Sequence, residues 1–230
     1  MVDFHRPIRS FVRRESRITT AQQRALVELW PRYGVELIAA ALDLDALFGR
    51  AAPRVLEIGF GNGEALVAMA AQHPQYDYLG IEVHGPGVGC ALRDVAARGL
   101  GNVRVVRADV NDVLACLPPM SLNVAYLFFP DPWPKLRHHK RRLVQPEFVE
   151  RLRQRLVPGG LFCLATDWED YAAHMLEVLS QAPGFKNTAG HGHYASRPVE
   201  RPLTKFERRG QRLGHVVRDL IFRRDDHDFT

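Results

Sequence analysis

The chain has 230 residues, 46% of them hydrophobic and 25% charged, which is the composition of an ordinary globular protein long enough to bury a full core and excludes fibrous and disordered classes. Its formal net charge of +5 favours a polyanionic partner only where the positive charge is clustered. Cys90, Cys116 and Cys163 are odd in number and show no Cys-x-x-Cys spacing, so they indicate neither a disulfide framework nor a zinc site and fit a reducing cytoplasm.

In chain order, "MVDFHRPIRSFVRRESRITT" has arginines but no apolar run that could serve a signal sequence, and no window approaches the roughly 20 apolar residues of a membrane span. It predicts a flexible basic arm over residues 1–30, followed by one domain over 31–230. Leu26, Leu29 and Trp30 form a short helical stripe stopped by Pro31, read as a cover helix. From Arg54 onward the apolar runs "RVLEIG", "YLGIEV", "VRVVRADV", "VAYLFF" and "LFCLATD" alternate with longer helical stretches. Runs of this kind are strands buried on both faces, and the alternation predicts an α/β fold with a mostly parallel central sheet and helices on both sides. "PEFVERLRQRLVPGG" predicts a helix opening at Pro146, stacking Phe148, Leu152 and Leu156, and closing at Pro158-Gly159-Gly160. "DWEDYAAHMLEVLSQ" predicts a helix with Asp167 as N-cap, and "GHVVRDLIFRR" a late strand.

At the first strand, "VLEIGFGNGEALVAMA" sets Gly59, Gly61 and Gly63 between an apolar run and an Ala-rich helix. Glycines suit a tight turn that a ligand approaches closely, but the Gly-x-Gly-x-Gly spacing departs from the dinucleotide fingerprint. Glu57, Glu82 and Asp109 add carboxylates at successive strand ends, where the ligand crevice of an open α/β sheet lies. Glu82 suits ribose hydroxyls, Asp109 an adenine amino group, and Glu57 disfavours a pyrophosphate. A cofactor carrying positive charge, S-adenosyl-L-methionine, fits this set better than NAD; the plain alternative makes Glu82 and Asp109 helix caps or solvated acids.

The fourth strand delivers "FFPDPWPKLRHHKRR". Proline fixes φ and lacks an N–H, so Pro130-Asp131-Pro132 must leave the sheet and hold Asp131 in a stiff loop beside the crevice. Behind it Lys135, Arg137, His138, His139, Lys140, Arg141 and Arg142 form the sought cluster, suited to a nucleic-acid backbone or, more plainly, a solvated face. Methyl transfer to guanine N7 needs a positioned lone pair and no general base, and Asp131 could stabilise the charge developing on the base. Trp133 could stack on that base or pack the loop.

In "EIGFGNG", "IEVHGPGVG", "FPDPWPKLRHHKRRLVQPEF", "TDWEDY" and "RPLTKFERRG", in this order from Glu57 to Gly210, the chain resembles the bacterial tRNA (guanine-N7-)-methyltransferases, which modify position 46 in the variable loop. The resemblance implies a Rossmann-like class I S-adenosylmethionine-dependent fold, a single methyltransferase domain over 31–230, tRNA as partner, a cytoplasmic location, no membrane or metal, and a monomer or homodimer. It implies that Glu57, Gly59, Gly61, Gly63, Glu82, Asp109 and Asp131 bind the cofactor, with Asp131 also catalytic. Lys135, Asp167, Thr204, Lys205, Phe206 and Glu207 would hold the substrate, and Arg137, His138, His139, Lys140, Arg141 and Arg142 would contact RNA. Asn62 and Leu136 depart from the family's common residues. By itself "TKFE" reads as a turn entering a strand, with Glu207 pairing weakly with Arg208 or Arg209 at the surface.

Three rivals remain beside this reading. An amino methyltransferase matches "DPW" only superficially, because Trp133 stands where its motif has a second proline. A non-catalytic RNA-binding protein on the same fold would not need acids at every strand end. A metal enzyme would have to use His191 and His193, which lack a third partner at ligand spacing.

Overall fold

The computed structural model describes residues 10–11, 17–38 and 40–225. In chain order the elements are α1 (Thr20–Glu28), α2 (Trp30–Tyr33), β1 (Gly34–Val35), α3 (Leu44–Phe48), β2 (Arg54–Ile58), α4 (Glu64–Gln72), β3 (Asp77–Ile81), α5 (Gly85–Ala97) and β4 (Val103–Val106). There follow α6 (Val110–Cys116), β5 (Leu122–Phe128), a 3-10 helix (Leu136–Arg141), α7 (Pro146–Arg155), β6 (Leu156–Thr166), α8 (Glu169–Gln181), β7 (Phe185–Asn187), α9 (Lys205–Arg212) and β8 (Arg218–Arg224).

The five apolar runs are β2 to β6, and their two-sided burial has a simple cause. Side chains alternate across a strand, so Val55 and Tyr78 join one apolar cluster with helices α1, α4 and α5. Leu56, Ile58, Leu79 and Ile81 join another with α6, α7 and α8 on the opposite face. The strand order is β1-β4-β3-β2-β5-β6-β8-β7. Pairings from β1 to β6 are parallel, whereas β8 runs antiparallel to β6 and to β7. Because β3 and β4 build outward from one side of β2 and β5 and β6 from the other, the order reverses between β2 and β5. A crevice opens there at the strands' carboxyl ends.

Three local expectations change. Part of the arm expected over 1–30, residues 1–9 and 12–16, lies outside the described residues. Within the remainder, 20–28 is helix α1, closed by a capping box between Thr19 and Gln22. Ala25 is buried in the cluster shared with α5, and Gln22 Nε2 donates to Cys90 Sγ at 3.2 Å. Helix α7 stops at Arg155, one residue short of Leu156, which instead opens β6 opposite Leu122. Pro158 disfavours helical backbone just before it, and Gly159 takes φ +75°. Asp167 does not cap α8; Trp168 holds that position without a side-chain bond, and Asp167 Oδ2 is 2.8 Å from His215 Nδ1.

Candidate active site

The carboxyl ends of β2, β3, β4 and β5 enclose a cleft of about 210 Å³. Its apolar walls include Ile58, Ile81, Val83, Ala108, Val110 and Leu143, a setting that fits a flat aromatic group, while Glu82 and Asp131 bring carboxylates to the same space. The turn after β2 has φ of +69°, +58° and +81° at Gly59, Gly61 and Gly63. A side chain is strained in that region, and at Gly59 and Gly61 the space a Cβ would enter is open toward a ligand. A second glycine makes the turn possible: a Cβ on Gly87 of α5 would lie 2.2 Å from the Gly61 carbonyl oxygen. Sequence reasoning placed Gly87 in a motif without giving it this close-approach role.

The acids behave differently from one another. Glu82 Oε2 accepts from Gly61 N at 2.8 Å, and Oε1 accepts from Val83 N and His84 N at 2.7 and 2.9 Å, so the glycine turn and the next strand are tied by one carboxylate. Asp109 caps α6, accepting from Asn111 N at 2.9 Å and Asn111 Nδ2 at 3.1 Å. Glu57 is 2% exposed, and its Oε2 has no hydrogen-bond partner. Burial, and secondarily the charge of Glu82, push its carboxyl up to about 8. A buried carboxyl without a partner beside an open glycine turn fits a cationic ligand, and the donor set as a whole fits S-adenosylmethionine better than a pyrophosphate cofactor.

Beyond β5 the chain turns sharply. Phe129 has φ +51°, held by its N–H donating to Ala165 O at 2.7 Å, and Trp133 has φ +47°. Such backbone in large residues costs energy and persists only where neighbours fix it. Trp133 Nε1 donates to Ser10 O at 3.0 Å, and the Arg141 guanidinium lies 5.0 Å from its ring centroid, so this tryptophan packs the loop. Asp131 is exposed at the cleft. The 3-10 helix presents Arg137 and Lys140 to solvent, with Lys135 exposed just ahead of it. His138 has a lowered pKa, from partial desolvation first and then the cations Arg137 and Arg141.

Arg142 departs from the expectation of an RNA contact. Its side chain is 1% exposed, Nε donates to Pro132 O at 3.0 Å, Nη2 bonds Asp170 Oδ2, and the guanidinium sits 4.9 Å from the Tyr171 ring centroid. Its hydrogen bond holds the Asp170 carboxyl below the usual range. The last arginine of the block therefore fastens the Asp131 loop to α8.

"TKFE" is a helix N-terminus rather than a turn entering a strand. Thr204 Oγ1 caps α9 by accepting from Glu207 N, and Glu207 is 1% exposed rather than at the surface. It receives Arg201 Nη1 and Nη2 at 2.6 and 2.9 Å, and Arg201 also meets Asp219 of β8 at 2.8 Å. The same guanidinium lies 5.8 Å from the centroids of Phe128 and Phe129, at the end of β5. Lys205 N donates to Glu64 Oε2 at 2.8 Å, and Phe206 packs on Phe129 with centroids 5.1 Å apart. The tertiary fold thus sets Phe206 against Phe129 beside the Asp131 loop and ties Asp167 to His215 just beyond α9, whereas Glu207 is buried against Arg201; of these residues only Phe129 and Asp131 line the cleft. Sequence reasoning missed Arg201, Asp219 and His215; Arg201 carried a signal only as the first residue of "RPLTKFERRG". Among the described residues no three His, Cys, Asp or Glu gather as a metal site, and no helix is long and apolar enough to cross a membrane.

Comparison with known proteins places this geometry. A protein-family model described as "Putative methyltransferase" matches residues 51–220. A tRNA (guanine-N(7)-)-methyltransferase of Alkalilimnicola ehrlichii is 60% identical over 96% of the chain and 94% of its own length. One of Pseudomonas aeruginosa is 55% identical over 96% of the chain and 91% of its own. Among solved structures, the 16S rRNA methyltransferase KamB superposes with a TM-score of 0.59 at 19% identity, covering 84% of this chain and 99% of that one, a likeness of fold. The fold is the Rossmann-like class I methyltransferase fold.

Proposed function

The chain belongs to the tRNA (guanine-N(7)-)-methyltransferase family, and on that premise we propose that it methylates N7 of a guanine in tRNA, at position 46 of the variable loop, in the cytoplasm. The protein is an S-adenosylmethionine-dependent enzyme. When bound, the cofactor supplies an electrophilic methyl group whose transfer to N7 leaves a neutral thioether. The observation that carries the reading is one cleft that brings Glu82 and the open turn at Gly59 beside Asp131, whose loop is backed by exposed cations, with the buried carboxyl of Glu57 two residues before that turn.

Glu57 and the glycine turn would hold the cofactor's charged end, Glu82 its ribose and Asp109 its adenine edge. Guanine N7 carries a free lone pair, so no residue has to remove a proton before attack. Asp131 would face the base, stabilising the positive charge that grows on it or accepting from its Watson–Crick edge. Positioning supplies the remainder, because a fixed near-attack geometry converts a bimolecular encounter into a local one. Lys135, Arg137 and Lys140 would bind phosphates, and Arg142 would act only by fixing the loop.

The test is nucleoside mass spectrometry of an unmodified tRNA transcript incubated with the protein and isotope-labelled S-adenosylmethionine. Labelled 7-methylguanosine at position 46, lost in Asp131→Ala, is the expected result. Label in N6-methyladenosine would move the enzyme to the amino methyltransferases, and tight tRNA binding without label would make it a binding protein.

A further inference from the structure

Helix α9 carries four cations in eight residues, Lys205, Arg208, Arg209 and Arg212, and one acid, Glu207. With 3.6 residues per turn and Glu207 marking the inward direction, Lys205, Arg209 and Arg212 fall within about 40° of the opposite side. All three are exposed, and among the described residues none is paired with a carboxylate. Arg208 is different, donating to Leu203 O at 2.7 Å and lying 3.4 Å from Glu64 Oε1. A cation in the last turn complements the helix dipole, which accounts for Arg212; the dipole disfavours Lys205 in the first turn, so the stripe has another cause.

Its location suggests one. Lys205 is bonded to Glu64 at the start of α4, just after the glycine turn, and Phe206 lies on Phe129, two residues before Asp131. At the other end His215 bonds Asp167. The helix therefore follows the rim of the crevice. The basic 3-10 segment is fastened through Arg142 to Asp170 in the first turn of α8, and Asp167 lies in the short β6–α8 connection just before it. Two basic segments thus adjoin at one turn, and neither is neutralised by acids of its own.

We infer that the outward face of α9, through Lys205, Arg209 and Arg212, is a second phosphate-binding surface that continues the one on the 3-10 segment. Arginine binds phosphate by two parallel N–H bonds, and each neutralised phosphate releases counterions into solution. The strand carrying the target guanine is then gripped by two segments, both of which follow Asp131 in the chain. This rests on tRNA being the substrate.

The experiment compares tRNA dissociation constants from 0.05 to 0.4 M salt for the full-length protein and for Arg209→Ala/Arg212→Ala. The salt slope should fall by about 1.4–1.8, and binding at 0.1 M should weaken about 25- to 60-fold, as two phosphate contacts imply. The KM for S-adenosylmethionine, kcat at saturating tRNA and the melting temperature should stay unchanged. Arg209→Lys/Arg212→Lys should restore the slope. Arg93→Ala/Arg98→Ala, at the end of α5 away from the crevice, should leave it alone. An unchanged slope in the α9 variant, or an equal loss in the α5 variant, would overturn the inference while wild-type methylation continued. Failure of the wild type to bind or methylate tRNA would instead overturn the function from which it proceeds.

Discussion

The two ends of the crevice are built on opposite electrostatic terms. At the cofactor end, the carboxyls of Glu57, Glu82 and Asp109 stand on strand ends or helix caps and meet backbone or amide N–H groups, or in the case of Glu57 Oε2 nothing. At the substrate end, Arg142 and Arg201 are buried in ion pairs with Asp170, Glu207 and Asp219, whereas among the described residues the exposed Lys205, Arg209 and Arg212 meet no carboxylate. Strand ends are already rigid, so an acid placed there needs no further support. A loop between prolines and a polar helix have no sheet to hold them, and buried guanidinium pairs supply the missing constraint. At the substrate end the charges that position are thus inside and paired, whereas the cations expected to bind phosphate are outside.

The contrast is broken most directly at Arg201. Arg201→Met would leave Glu207 and Asp219 buried with only the more exposed Arg197, 3.6 Å from Glu207 Oε1, and should lower the unfolding free energy by about 3–5 kcal/mol in urea titration. A change below about 1 kcal/mol would mean that apolar packing alone holds α9. Asp131→Ala should reduce kcat by about 100- to 1,000-fold in single-turnover methylation while the melting temperature stays put, because the side chain is exposed. Arg142→Ala removes a buried partner of an exposed acid and should cost about 2–3 kcal/mol, raising the KM for tRNA mainly through a loosened loop.

Glu57 sharpens the comparison through pH. Its carboxyl in the folded protein is pushed up to about 8, above the ordinary value near 4.5. Between these values the folded state binds the extra proton, so stability falls as pH rises, by up to about 1.4 kcal/mol per unit, and levels off above pH 8. Glu57→Gln should flatten that limb of a stability-versus-pH curve. S-adenosylmethionine binding should release a proton near pH 7, measurable by calorimetry in buffers of different ionisation enthalpy; no release would argue that Glu57 stays neutral beside the cofactor. The smallest expected effect is Arg137→Ala, which should lower the salt slope of tRNA binding by about 0.7–0.9 and leave stability within about 0.5 kcal/mol.

Legibility followed the same division. The strands, the glycine turn and the acids at strand ends were readable because apolar periodicity reports burial locally, and the loop at Asp131 because proline limits the chain whatever surrounds it. Helix α9 was not readable by itself: its inward residue is Glu207, and a search for apolar spacing finds nothing in "KFERRGQR". The arginines of "KRR" look alike in sequence, yet Arg142 is buried because Asp170 and Tyr171, 28 and 29 residues later, happen to face it.

The sequence by itself determined a parallel α/β sheet, a cleft at the carboxyl ends of its strands, and carboxylates suited to a cationic cofactor, since each follows from backbone stereochemistry and the period of apolar burial. Only the tertiary structure decided which charges bind and which brace, because a charge becomes structural when an opposite charge from a distant segment meets it away from water, and no local pattern records that meeting.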